Sequence, residues 1–277
     1  MPELPEVEVC RRGLQPELAG ALIEGVVIRH PKLRQTIPPE LRELLPGSRI
    51  VAVRRRGKYL LIDCCGPQGE GSLIIHLGMS GHLRFAPPDL PAAKHDHFEL
   101  HLGKQLLRLA DPRRFGVVLW QGGPPAETES HPLLASQGLE PLSEAFTGAW
   151  LQAAVARRNG PIKPLLMDSH LVVGIGNIYA SESLFRAGIS PLRAAQRISP
   201  ARYARLVEAI RDTLSAAIAA GGSSIRDYVH SDGGSGWFQI QAAVYDRAGQ
   251  ACRRCPGTVK QIRQAGRSTY YCPSCQR

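Results

Sequence analysis

The chain has 277 residues, with 34 Lys and Arg against 24 Asp and Glu, a formal net charge of +10 and a pI near 9.6. That length accommodates two modest domains with separate cores, and the basic excess, carried almost entirely by arginine, favours a polyanionic partner, nucleic acid first, because guanidinium grips phosphate with paired hydrogen bonds. No apolar run reaches the roughly eighteen residues that span a bilayer, and the acidic opening "MPELPEVE" is the reverse of a secretory leader, so a cytoplasmic protein is expected.

In chain order, "VEVCRRGLQPEL" (7–18) predicts a short helix ended by Gly13 or Pro16. From about 21 to 121 the texture changes to short Leu-rich or β-branched runs, "SRIVAVRRRGKYLLIDC" and "DHFELHLGKQLLRLAD" among them, broken by Gly and Pro. That punctuation predicts an antiparallel β-sandwich or barrel, with Gly103-Lys104 as a two-residue hairpin turn. "GGPPAETESHP" (122–132) reads as a connector, and beyond about 135 the pattern is helical. The clearest helix starts with Ser199 as N-cap and Pro200 as first helical residue. Tyr203, Leu206, Val207, Ile210 and Leu214 form its apolar stripe, and Gly221-Gly222 end it. "GGSSIRDYVHSDGGSGW" (221–237) then reads as a long flexible loop, and no internal repeat is present.

Seven cysteines are present, and four of them fall in the tail as C-x2-C-x16-C-x2-C: Cys252, Cys255, Cys272 and Cys275. Two close pairs brought together by a hairpin suit one structural zinc ion per chain, with four thiolates and no open position for a reactive water. The odd total and paired spacing argue against a disulfide framework, leaving Cys10, Cys64 and Cys65 as free thiols. Arg253, Arg254, Lys260, Arg263, Arg267 and Arg277 surround the tail motif, as on a DNA-contacting hairpin, though each alone is equally a solvated basic residue.

The opening stretch has two readings. Pro5 with Glu3, Glu6 and Glu8 near the positive end of a helix is ordinary capping, and on their own these residues favour it. Removal of Met1, however, leaves Pro2 as a secondary amine. An α-amino group with a pKa of about 8 is roughly a quarter to a third neutral near pH 7.5, against about 0.1% for a lysine. A neutral amine attacks an aldehyde carbon, the resulting iminium is an electron sink, and neighbouring carboxylates can move protons.

Seven short segments shift the balance: "PELPEVE" at the start, "GKYL" (57–60), "HLGMSGHL" (76–83), "KHDH" (94–97), "DPRRFG" (111–116), "GIGNIYASESLF" (174–185) and "GRSTYYCPSCQ" in the tail. Together and in this order they closely resemble the bacterial formamidopyrimidine-DNA glycosylases, also called 8-oxoguanine DNA glycosylases. The resemblance implies an α+β chain in three parts. Residues 1–131 would be a catalytic antiparallel β-sandwich carrying an N-terminal helix, 132–245 a helical DNA-binding domain with a helix–two-turn–helix element, and 246–277 a four-cysteine zinc hairpin. It implies a bifunctional base-excision enzyme that flips an oxidised purine from duplex DNA, cuts the glycosidic bond and nicks the strand by β,δ-elimination. The implied partner is double-stranded DNA holding oxidised purines or abasic sites. The chain would act as a bacterial cytoplasmic monomer, nucleoid-associated when on DNA, with no membrane partner.

Residue by residue, the resemblance assigns Pro2 as nucleophile at C1′, Glu3 as general acid on the sugar ring oxygen and Glu6 as a second carboxylate nearby. Lys58 is the hairpin proton donor and phosphate contact, and Arg267 of the zinc hairpin joins these catalytic positions. Met79, Arg113 and Phe115 fill the space left by the flipped base, although core packing is the usual fate of such a Met or Phe. His97, Arg114, Lys163 and Asn177 complete the DNA-binding set. A serine- and glycine-rich loop at 222–236 matches the lesion-recognition loop. Two departures stand out: Asp246 lies where the family usually has glycine, and Pro256 follows Cys255 directly, so the local turns there are expected to differ. The related endonuclease VIII branch, which prefers oxidised pyrimidines, is disfavoured by Leu4 and by "DPRRFG", and a non-catalytic zinc DNA-binding protein is the rival of another class.

Overall fold

Helix α1 spans Leu4–Leu18, so it begins before Val7 and runs through both Gly13 and Pro16, against the sequence expectation. The reason is its buried stripe: Leu4, Val7, Cys10, Leu14 and Leu18 all face the core. Pro16 inside a helix costs about 3 kcal/mol, and Gly13 about 1. Burying a leucine contributes about 1.5–3 kcal/mol, so Leu14 and Leu18 alone offset the two breakers. The computed structural model that shows this describes residues 2–222 and 242–277, in two units: one of residues up to Ala135 together with Gly221-Gly222, the other of Ser136–Ala220 and residues 242–277.

In the first unit the β-rich stretch forms two four-stranded antiparallel sheets. One carries β1 (Gly25–Ile28), β5 (His82–Ala86), β6 (Asp96–His101) and β7 (Leu106–Ala110), in the order β1-β6-β7-β5. The other carries β2 (Arg49–Arg56), β3 (Tyr59–Gly66), β4 (Gly69–His76) and β8 (Val117–Gly122) in sequence order. Alternation decides which residues face inward. Leu60, Ile62 and Cys64 of β3 and Leu73 and Ile75 of β4 meet Phe98, Leu100, Leu107 and Leu109 of the opposite sheet in one core, which also takes in the α1 stripe. The architecture is a sandwich, and Gly103-Lys104 does make a two-residue turn, with Gly103 at φ +76 and Leu102 N–H bonded to Gln105 O.

The segment expected as a plain connector is seated on the sheet. Its 3₁₀ turn, Pro125–Ser130, buries Thr128 completely against Ser72 (Oγ–Oγ1 2.7 Å), and Arg54 reaches the Pro125 carbonyl at 2.9 Å. After the single-turn helix α2 (Leu41–Leu44), the next helix in the chain is α3 (Pro132–Ala135), whose Leu134 packs on Leu61 and Ile74, the outward residues of β3 and β4.

The second unit is helical, with α4 (Gly148–Val155), α5 (Ile162–Leu166), α6 (Asn177–Ala187) and α7 (Pro200–Ala219). Helix α7 starts at Pro200 with Ser199 as N-cap and buries Tyr203, Leu206, Val207, Ile210 and Leu214, as the periodicity indicates. The tail forms a hairpin of β9 (Lys260–Gln264) and β10 (Arg267–Tyr271). It shares a core with α6, where Phe185 packs with Val244, Cys252, Val259, Tyr270 and Cys272. The loop expected at 221–237, and the lesion-recognition assignment placed on it, fall almost wholly outside the described residues.

One carboxylate ties α1 to the β2-β3-β4-β8 sheet. Glu8 accepts hydrogen bonds from Arg11 (2.8 Å), Arg12 (2.9 Å) and Arg55 of β2 (3.2 Å). Burial alone would raise its pKa, but the arginine hydrogen bonds and charges override this and hold it at about 2, below the ordinary 4.5. A carboxylate whose folded-state pKa is depressed contributes stability that is present above the unfolded value and lost as pH falls through the folded one. Thermal unfolding of Glu8→Gln should therefore lag wild type most above pH 4.5, with the two midpoints converging as pH approaches 2. A gap that stays constant across that window would show that the Glu8 charge contributes nothing.

Candidate functional site

The start of α1 shows the capping reading of the opening stretch and places Pro2 directly ahead of the cap. Pro2 and Glu3 are buried, and Glu3 is the extended N-cap residue (φ −104°, ψ −171°). Its N–H donates to Glu6 Oε2 at 2.8 Å, and Glu6 is fully buried. This is a capping box. It fixes a segment that would otherwise fray, and it sets two carboxyl groups within a turn of Pro2 at the positive end of the helix dipole.

The β2–β3 connection is a two-residue turn, Gly57-Lys58, with Arg56 paired to Tyr59 and Gly57 at φ +56. Arg55 clamps the turn to α1 by bonding both Glu8 (3.2 Å) and the Gly57 carbonyl (2.9 Å). Lys58 is thereby held half-buried on the element that contacts the first helix. His76 belongs to the same neighbourhood. Burial, with the charges of Lys58 and Arg34 close by, pushes it down to about 4, so it is neutral near pH 7. Its Nδ1 accepts the Gly78 N–H at 3.0 Å and its ring packs against Tyr59, centroids 4.8 Å apart. His76 orients the start of the Met79 turn, a role visible only from this hydrogen bond, although the residue opens the "HLGMSGHL" motif.

Met79 is half-buried, while Phe115 is 44% exposed, which excludes core packing for that ring. The Arg113 guanidinium lies over it, 4.8 Å from the centroid. Arg114 is exposed, sits at φ +55 and donates through Nη1 to His30 Nε2 at 2.7 Å. A left-handed arginine persists only where its surroundings over-determine it, a condition common at functional loops. His97 is placed differently from a surface DNA contact. It is buried, its Nε2–H donates to the Asp111 carbonyl at 2.9 Å, and burial lowers its pKa.

In the second unit Lys163 is 1% exposed, so it is not a solvated side chain. Its Nζ donates to Asn177 Oδ1 (2.5 Å) and Thr269 Oγ1 (2.7 Å), and Asn177 Nδ2 donates to the Ser268 carbonyl at 2.9 Å. Asn177 is the first residue of α6, after the extended N-cap Gly176, so the helix N-terminus and the ammonium converge on one spot. The β9–β10 hairpin turns through Ala265-Gly266, at φ +45 and +76, and delivers exposed Arg267 to the same cleft, lined also by Lys163, Met167 and Gln264.

The four tail thiols lie within 4.8 Å of one another, with Sγ–Sγ distances of 3.8 Å for Cys252–Cys275 and 3.6 Å for Cys255–Cys272. Zinc–sulfur bonds of about 2.3 Å in a tetrahedron require sulfurs about 3.8 Å apart, so the donor set fits one zinc ion. The N–H groups of Arg254 and Gly257 point at Cys252 and Cys255 Sγ, each at 3.4 Å. Pro256 therefore occupies a place where no donor is needed. Asp246 adopts φ +58, the conformation glycine takes most readily, and its Oδ1 accepts the Tyr270 hydroxyl at 3.3 Å. The departure thus keeps a left-handed turn. Glu182 of α6 accepts the backbone N–H groups of Ala243, Val244 and Tyr245 at 2.8–2.9 Å and so anchors the chain that leads into the hairpin. Arg254 is stacked over Phe185 and bonded to its carbonyl (3.1 Å), and it is exposed, as are Lys260, Arg263 and Arg267. Cys10 and Cys64 are buried in the sandwich core and Cys65 is exposed, all apart from the cluster.

Three family profiles match in register: the formamidopyrimidine-DNA glycosylase N-terminal domain over residues 1–118, the H2TH domain of the same enzymes over 137–229, and the zinc finger found in FPG and IleRS over 249–277. The formamidopyrimidine-DNA glycosylase of Dechloromonas aromatica is 78% identical over 276 residues, covering all of both chains. Among solved structures, the Lactococcus lactis Fpg bound to abasic-site DNA is 33% identical, with a TM-score of 0.89 and 99% of each chain covered. MutM bound to DNA containing carbocyclic 8-oxo-G is 35% identical, with a TM-score of 0.90 and both chains fully covered. With the sandwich, the H2TH helices and the four-cysteine hairpin all in place, this chain belongs to the formamidopyrimidine-DNA glycosylase family.

Proposed function

We propose that this protein is a bifunctional DNA glycosylase and AP lyase of base-excision repair, acting on oxidised purines and abasic sites in duplex DNA. The observation that carries the reading is the buried Pro2-Glu3 start, locked by Glu6 at the head of α1. Solved relatives bound to abasic-site DNA and to 8-oxo-G DNA support the substrate class. We take the three-part division at about 131 and 245 as the working one, and place the protein in the cytoplasm, on the nucleoid when bound to DNA. Among the described residues no helix is long and apolar enough to cross a membrane.

Once Met1 is removed, the Pro2 nitrogen attacks C1′ of the damaged nucleotide. Glu3, buried beside it, protonates the ring oxygen as the sugar opens. The base leaves and C1′ becomes an iminium. That cation acidifies the C2′ proton, so the 3′ phosphate departs, and a second elimination expels the 5′ phosphate. Lys58, on a turn clamped through Arg55 and Glu8, supplies a proton and holds a phosphate. Lys163, Asn177 and Arg267 take the neighbouring backbone phosphates, and Arg113 with Phe115 and Met79 fills the emptied stack. Zinc, when bound to the four cysteines, supplies a closed scaffold without an open ligand position.

Borohydride should trap a covalent protein–DNA adduct on 8-oxoguanine duplexes that mass spectrometry maps to Pro2; an adduct on a lysine, or trapping undiminished in Pro2→Gly, would remove the proposed nucleophile. Glu3→Gln should lose excision by at least about a hundredfold, whereas near-normal turnover would free Glu3 of its role. Cys272→Ser should lower bound zinc well below one ion per chain and weaken DNA binding, while leaving the sandwich folded by circular dichroism. Full zinc occupancy in that variant would overturn the ligand assignment.

A further inference from the structure

We propose that Ser80 and Asp111 are positioning residues that join the Met79 turn and the Arg113–Phe115 loop into a single rigid wedge. The inference rests on the glycosylase reading and names two groups that act through the wedge. Ser80 is 3% exposed and Asp111 fully buried, directly beneath residues that are exposed. The Ser80 hydroxyl donates to Asp111 Oδ1 at 2.8 Å and accepts the Arg113 N–H at 3.2 Å. The second carboxylate oxygen, Oδ2, accepts the Gly116 N–H at 2.7 Å. The Asp111 carbonyl accepts the N–H of Arg114 (3.1 Å) and Nε2–H of His97 (2.9 Å). One aspartate therefore closes the loop at both ends, and one hydroxyl couples it to the neighbouring turn.

Backbone contact reinforces the link. Gly78 is left-handed at φ +63, and a Cβ there would lie 2.4 Å from the Phe115 carbonyl carbon. The Met79 turn thus sits flush on the Phe115–Gly116 backbone, with no room to slide. Inserting groups between bases is productive only if they do not give way, so a pre-locked wedge converts binding into extrusion of the damaged base.

The test is a double-mutant cycle on single-turnover excision of 8-oxoguanine from duplex DNA. Ser80→Ala should slow excision on the order of tenfold in the native background and less than about twofold in an Arg113→Ala/Phe115→Ala background, because the lost group acts through the side chains already removed. Asp111→Asn, which leaves one donor facing an amide N–H₂, should behave likewise. Borohydride trapping at a preformed abasic site, where no base has to be expelled, should stay within about twofold of wild type for both variants. Ser80→Thr, which restores the hydroxyl, should recover part of the rate. Equal slowing in both backgrounds, equal loss of trapping and excision, or native rates in both variants would each overturn the proposal. If the wild-type protein neither excises nor traps, the glycosylase reading itself fails, which is a separate result.

Discussion

The nucleophile proposed at Pro2 faces a physical constraint: terminal residues fray unless the structure holds them. Here the constraint is met by hydrophobic burial. Val7, Leu14 and Leu18 anchor α1 in the sandwich core, and the Glu3–Glu6 hydrogen bond fixes the residues before it. Everything proposed for the chemistry follows from that anchorage. A proline nitrogen can be aimed only if the helix behind it cannot tilt, and a carboxyl can serve as an acid only if its backbone stays still. Under the proposed chemistry the core of the first unit would be part of the reaction apparatus, since it turns a flexible end into a fixed one.

The same device recurs elsewhere. A buried carboxylate gathers donors from distant segments and sets a loop in place: Glu8 for the Lys58 turn, Asp111 for the Arg113–Phe115 loop, Glu182 for the chain leading into the zinc hairpin. In each case a buried acid supports basic residues nearer the surface. A surface meant for a polyanion cannot stabilise itself, because its like charges repel. Acceptors placed beneath it satisfy backbone and guanidinium donors without cancelling the outward charge.

What could be read from the sequence followed from the range of each interaction. The four cysteines were legible because zinc ligands come in close pairs, and α7 was legible because stripe, cap and terminating glycines all lie within one segment. The sandwich was legible as a texture of short runs and the Gly103-Lys104 turn as a hairpin, but the pairings between more distant strands were not. The extent of α1 was misjudged because Gly13 and Pro16 are strong local signals, whereas the leucines that outweigh them gain their energy from strands far along the chain. The 3₁₀ turn at Pro125–Ser130 resembled a connector because its buried residue, Thr128, finds its partners on β2 and β4. The burial of His97 and Lys163 was likewise invisible, since Asp111 and Thr269 lie far from them in sequence.

Lys163 also shows how misleading residue similarity can be. Its ammonium fits among Asn177, Thr269 and the Ser268 carbonyl at 1% exposure, a space shaped for a compact three-pronged donor. A guanidinium is planar, wider and unable to shed its charge. Arginine, the usual like-for-like exchange, would have to push α5, α6 and β10 apart, while at exposed Arg267 the opposite exchange needs no extra volume. The two cations would serve one phosphate-facing surface, yet one is limited by space and the other only by geometry of contact.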